Sequence, residues 1–252
     1  MRRAYSEYGD RRNPAILFLH GILLGREVWI PHAELLSPRF HVVTLDLPGH
    51  GALADVPFTL DAIGELLDRT IDEVCGTPPV IVGYSLGGFI AMQYASHRPE
   101  KTRGLVLSGC MIDFEGWKYW PYGVSSRLSD LMPDPVFDAL TWAALHVTLP
   151  GPWATLVNKI PFNREVIAQV NRLAAHSRNS DLMRSYHKPV LFLNGEYDLL
   201  FRIDERRYLH ALPQAELKVI RHTDHTAPMR EAQEFAGAVG DFAGRVFAAT
   251  TP

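Results

Sequence analysis

Three kinds of residue in this chain have the types and spacing for acyl-transfer chemistry. They are a serine between glycines, a pair of carboxylates and a pair of histidines. The serine is Ser85, in GYSLG at 83–87. The apolar run VIV at 80–82 precedes it, and GGFIAMQYA at 87–95 follows with helical spacing. A strand that reverses sharply into a helix strains its central residue. Gly83 and Gly87 omit side chains that would collide in such a turn. Ser85 then stands clear at a helix N-terminus, whose unpaired N–H groups favour developing negative charge.

A serine hydroxyl is a weak nucleophile near neutral pH. It needs a base, and the base needs an orienting acid. Downstream, VLFLNGEYD at 190–198 runs from an apolar strand into a loop with Glu196 and Asp198. LKVI at 217–220 leads into RHTDHTAP, which offers His222 and His225. A third carboxylate, Asp113, follows the run LVLSGC at 105–110. All lie just past the C-terminal end of a strand, where open α/β sheets hold their ligands. Two histidines without a third ligand nearby make a poor metal site, so no metal is expected.

The elements that must position these groups are legible as an alternation. Short continuous apolar runs read as buried parallel strands at 15–19, 42–45, 80–82, 105–107, 190–193 and 217–220. Between them, Leu60, Ile63, Leu66, Leu67, Ile71 and Val74 share one helical face. A C-terminal helix is expected from Met229 to Phe247, with Phe235, Val239, Phe242 and Val246 on one side. Strand and helix in turn predict an α/β fold with a doubly wound, mostly parallel sheet. From 111 to 187 no convincing strand occurs, and prolines such as Pro133 and Pro135 punctuate short helices. That stretch reads as an inserted helical cap between two parts of one core, 1–110 and 188–252.

The motifs together resemble the α/β-hydrolase superfamily over nearly the whole chain. LHG at 19–21 looks like its oxyanion loop, LDLPGHG at 45–51 its next strand and loop, and GYSLGG at 83–88 its nucleophile elbow. NGEYD at 194–198 is similar to its acid loop, and DHTAP at 224–228 to its histidine loop. The resemblance implies that Asp198 orients His225 and that His225 takes the proton of Ser85. It also implies an oxyanion hole made by the backbone N–H groups of Leu86 and Ile22.

The implied activity is a serine hydrolase cleaving carboxylic esters of small to medium, largely apolar substrates, with no cofactor. Trp117, Trp120 and Trp142 of the cap are expected to line an apolar pocket, with Phe114, Tyr119, Tyr122 and Phe137. Trp29 near the oxyanion loop and Tyr84 in the elbow join them. Two other readings use the same motifs. One is a lyase like the menaquinone-pathway synthase, a subgroup with an arginine after the elbow glycines where this chain has Phe89. The other is a ligand receptor on the same fold.

Composition excludes other classes. The chain has 252 residues, 47% of them hydrophobic and 21% charged, with a formal net charge of −3. Neither sign dominates, which argues against nucleic acid as a partner and leaves a small-molecule substrate. No apolar run approaches the ~18 residues of a membrane span. The stretch MRRAYSEYGDRRNP has no apolar segment behind its basic start. Cys75 and Cys110 form no C-x-x-C pair and read as buried free thiols, which suits the cytoplasm.

Overall fold

The computed structural model describes residues 3–249, apart from 121–122, 125–126, 128–130, 150, 158–164 and 176. Seven strands form one sheet: β1 Tyr5–Tyr8, β2 Ala15–Leu19, β3 His41–Leu45, β4 Val80–Tyr84, β5 Gly104–Ser108, β6 Val190–Gly195 and β7 Glu216–Ile220. Their order is β1-β3-β2-β4-β5-β6-β7. β1 pairs antiparallel with β3, and the remaining pairs are parallel. The helices with described bounds are α1 Ile30–Leu36, α2 Leu60–Arg69, α3 Leu86–His97, α4 Asp134–Thr148, α5 Gly151–Val157, α6 Glu165–Ala174, α7 Asn179–Leu182, α8 Glu205–Ala211, α9 Ala227–Arg230 and α10 Ala232–Ala248.

Alternation along each strand sorts the core into two layers. Leu17, Leu19, Ile81, Leu105 and Leu107 face one side, with Ile63 and Leu67 of α2, Ile90 of α3 and Tyr208 of α8. Ile16, Phe18, Val80, Val82 and Val106 face the other, with Ala33 of α1 and Phe235, Val239 and Phe242 of α10. Helices therefore cover both faces, which is why the central strands read as unbroken apolar runs.

The edges differ from the sequence expectation. β1, with sequence YSEY, is half-buried throughout and has no apolar run to announce it. Its ladder with β3 holds it, from Tyr5 opposite Leu45 to Tyr8 opposite Val42. β7 lies at the other edge and alternates exposed and covered residues, ending in buried Ile220. The expected C-terminal helix is broken at Glu231, whose φ of −122° and ψ of 52° separate α9 from α10.

Between β5 and β6 the described residues form helices and turns. α6 lies over the α2–α3 side, where buried Val166 packs at Gly49 and the Gln169 side chain accepts the Phe58 N–H at 2.9 Å. α5 packs on the opposite side, with Trp153 beside His32 at 6.1 Å between ring centroids.

Candidate active site

Ser85 follows β4 directly and is the residue before the first turn of α3. Its φ of 51° and ψ of −116° lie where an L-residue is strained. The glycines make this turn possible. A Cβ at Gly83 would lie 2.5 Å from the Gly87 carbonyl oxygen, and one at Gly87 would overlap the backbone of Leu19. Ser85 N–H is anchored to the Ser108 carbonyl at 2.8 Å, so the turn is braced against β5.

Two loops bring the other groups to this serine. Asp198 follows β6, His225 follows β7, and their loops are joined where Tyr197 N–H donates to the Thr223 carbonyl at 2.8 Å. His225 Nδ1 is 2.8 Å from Asp198 Oδ2, and His225 Nε2 is 3.1 Å from Ser85 Oγ. A carboxylate only accepts, so Nδ1 carries the proton and donates it to Asp198. Nε2 is then the acceptor for the Ser85 hydroxyl. Asp198 is 4% exposed and Ser85 9%, so the chain of bonds is shielded yet reachable at the serine.

The rival residues are engaged elsewhere. Glu196 accepts the His222 N–H at 2.9 Å, and the His222 side chain is 82% exposed. Asp113 is fully buried and ties together Ser180, Tyr208 and Arg207. That carboxylate braces the segment before β6 against α8.

The loop after β2 carries Ile22, and two neutral histidines hold it. His20 donates from Nδ1 to the Gly21 carbonyl at 2.8 Å and accepts the Leu47 N–H at 3.0 Å. His50 donates to the Pro48 carbonyl at 2.9 Å and accepts the Leu23 N–H at 3.1 Å. Burial lowers their pKa values to about 4 and about 3, so both stay neutral near pH 7. Buried Asp46 fastens the same loop by accepting the N–H groups of Arg26 at 2.8 Å and Ala52 at 2.9 Å. Leu86 N–H, at the first position of α3, has no intrahelical acceptor. Ile22, Leu23, Ser85 and Leu86 together border one cavity.

That cavity has a volume of about 760 Å³, within the range of small-molecule sites. α2 supplies Ile63 and Gly64, α3 supplies Phe89 and Ile90, and α6 supplies Ile167 and Val170. Phe114 lines it as expected, whereas Tyr119 and Phe137 do not, and Tyr122 lies outside the described residues.

The five other aromatic residues expected in the pocket are not among its lining. Trp29 is fully buried on the α1–α10 side, 4.8 Å from Phe18 and 6.1 Å from Phe235 between ring centroids. Tyr84 packs behind the His225 ring at 5.1 Å. Trp117 and Trp120 are 69% and 70% exposed. Trp142 packs toward the layer that contains Trp29. Aromatic character alone does not say which surface of an element a side chain faces.

Sequence reasoning missed four residues here. Phe201 stacks on His225 at 4.2 Å and lines the cavity. Gly109, at φ 62°, leaves the room that the His225 ring occupies, since a Cβ would lie 2.6 Å from its Cε1. Asn194 accepts the Gly109 N–H at 2.9 Å and so sets that turn. His50 had a signal, a second histidine in the loop next to LHG. Phe201 had none, because its partner is 24 residues away.

Comparison with known proteins places the chain. The model of the alpha/beta hydrolase family matches residues 16–238. A pimeloyl-acyl-carrier-protein methyl ester esterase of Chromobacterium violaceum is 28% identical over 248 residues, covering 91% of this chain and 94% of the relative. A 2-succinyl-6-hydroxy-2,4-cyclohexadiene-1-carboxylate synthase of Photorhabdus laumondii is 28% identical over 264 residues, covering 95% of this chain and 88% of the relative. The solved structure of MenH from S. aureus is similar in fold, with a TM-score of 0.81 at 23% identity, covering 96% of this chain and 98% of that one.

Proposed function

The chain belongs to the alpha/beta hydrolase family, and we propose that within it this protein is a serine hydrolase of carboxylic esters with largely apolar substrates. The observation that carries the reading is the hydrogen-bonded series Ser85–His225–Asp198 beside an apolar cavity. The similarity to methyl ester esterases points the same way.

Ser85 Oγ attacks the ester carbonyl while His225 Nε2 takes its proton. Asp198 holds the imidazole in the tautomer this transfer needs and stabilises the imidazolium. The carbonyl oxygen becomes an oxyanion, received by the N–H groups of Leu86 and Ile22. One such donor is worth about 3 kcal/mol of barrier. His225 then protonates the leaving alkoxide, and an acyl-enzyme remains on Ser85. Water enters, gives a proton to His225 and attacks the acyl carbon, releasing the acid and restoring the serine.

Residues 111–187 act as the cap in this reading, with α6 roofing the cavity and segments 1–110 and 188–252 forming the core. Among the described residues there is no group of three or more His, Cys, Asp or Glu fit to hold a metal, and the mechanism uses none. No helix among the described residues is long and apolar enough to cross a membrane. Buried, unpaired Cys75 and Cys110 suit a reducing compartment such as the cytoplasm.

A lyase is the second reading, favoured by the relative from Photorhabdus laumondii. Against it, Phe89 stands on the cavity wall, 5.3 Å from Phe114 between ring centroids, where a carboxylate-rich substrate would want a cation. A fluorophosphonate probe tests the serine directly. It should label Ser85 in the wild type, read by mass spectrometry of the peptide, and fail to label Ser85→Ala at any site. Labelling of another serine at the same rate would sink the assignment.

A further inference from the structure

The loop that carries His225 is moored on both sides. Before His225, the Thr223 carbonyl accepts the Tyr197 N–H at 2.8 Å. After it, the Pro228 carbonyl in α9 accepts the His32 Nε2–H at 2.8 Å. α9 has four residues and ends at Glu231, and carbonyls in a last helical turn lack intrahelical donors. His32 supplies one from α1, 196 positions away in the chain.

His32 is fully buried in an aromatic cage. The rings of Trp29, Phe235, Trp153 and Phe18 lie 5.0, 5.6, 6.1 and 6.2 Å from its own between centroids. A carbonyl only accepts, so Nε2 carries the proton. Nδ1 is then a bare acceptor, and it has no hydrogen-bond partner among the described residues. An apolar side chain would fill such a cage without stranding an acceptor. What the histidine adds is the bond to Pro228.

The same corner also backs the His225 ring. Trp29 meets His32 edge to face, Tyr84 meets Trp29 at 6.4 Å, and Tyr84 packs behind His225 at 5.1 Å. The start of α1 therefore reaches His225 by two routes, one through Pro228 and one through Tyr84. Proton transfer needs His225 Nε2 within hydrogen-bond reach of Ser85 Oγ, 3.1 Å away.

We propose that His32 is a positioning residue for the reaction: its bond to Pro228 fixes the loop so that His225 keeps its reach to Ser85. His32 lies outside the cavity lining, so its role is in the chemical step and not in binding. The inference rests on the ester-hydrolase reading and adds a residue to it.

The test measures kcat and KM for p-nitrophenyl acetate and p-nitrophenyl decanoate with the wild type, Ser85→Ala, His32→Leu, His32→Asn and His32→Gln. Leucine fills the cage without a donor. Asparagine keeps an amide but falls short of Pro228, and serves where His32→Leu does not fold. Glutamine can carry an N–H to the same carbonyl. His32→Leu and His32→Asn should lower kcat about tenfold or more, by the same factor on both esters, with KM within about twofold of the wild type. His32→Gln should recover most of the lost kcat. Wild-type kcat in His32→Leu or His32→Asn would overturn the inference. So would an equal loss in His32→Gln, which would make the role one of packing, or a loss seen in KM or on the decanoate alone. Each of these results, with Ser85-dependent turnover in the wild type, leaves the ester-hydrolase reading standing. No Ser85-dependent turnover of either ester would overturn both.

Discussion

Asp198 acts through one bond. Its carboxylate accepts the His225 Nδ1 proton at 2.8 Å, which leaves Nε2 as the acceptor facing Ser85. An amide in its place can turn its NH2 toward Nδ1 and stabilise the wrong tautomer. Asp198→Asn should therefore lower kcat by about 10⁴-fold with little change in melting temperature. His222 is the control. It lies on the surface against Glu196 and Tyr197, away from the serine. His222→Ala should change kcat less than threefold in the same assay. A loss as deep as that of His225→Ala would mean that the wrong histidine has been assigned.

The elements explain why three residues spread over 140 positions meet at all. The parallel order β4-β5-β6-β7 puts the C-terminal ends of β4, β6 and β7 on one edge, and these ends deliver Ser85, Asp198 and His225. The meeting of Ser85, Asp198 and His225 was legible in the sequence because a sharp strand-to-helix turn needs glycines at fixed offsets. Acid and base must likewise follow strands. The cavity wall was not legible, since it is made by faces of α2, α3 and α6 that become neighbours only through the fold. Trp29 was misread for a related reason: a large aromatic ring is equally suited to a core between α1 and α10. β1 escaped because an edge strand held by its ladder needs no apolar run. Gly64 of α2 tests the wall. A Cβ there would meet nothing within 4 Å, and the residue lines the cavity. Gly64→Leu should improve helix propensity by up to about 1 kcal/mol. It should also lower kcat/KM for the decanoate ester at least tenfold relative to the acetate. An unchanged ratio would put long acyl chains somewhere other than between α2, α3 and α6.

At the scale of the whole molecule, three histidines among the described residues are buried and held neutral: His20, His32 and His50. Burial, the largest influence on each, lowers their pKa values to about 4, about 4 and about 3. In the unfolded chain each titrates near the ordinary value of about 6.5. Below that pH the unfolded state binds more protons, so stability falls as pH falls from 6.5 toward 4. Each histidine contributes on the order of 3 kcal/mol to that loss. Thermal melts from pH 7.5 to 4.5 should show a steep decline below 6.5, and a flat profile would contradict the neutral assignments. The loop that presents Ile22 depends on two of these rings, so its integrity should decline over the same range. The central claim is that Ser85 is the nucleophile of an ester hydrolase, and it is tested most directly by p-nitrophenyl acetate hydrolysis. The wild type should turn over, and Ser85→Ala should be slower by about 10³-fold or more. Equal rates in the two proteins would contradict the account.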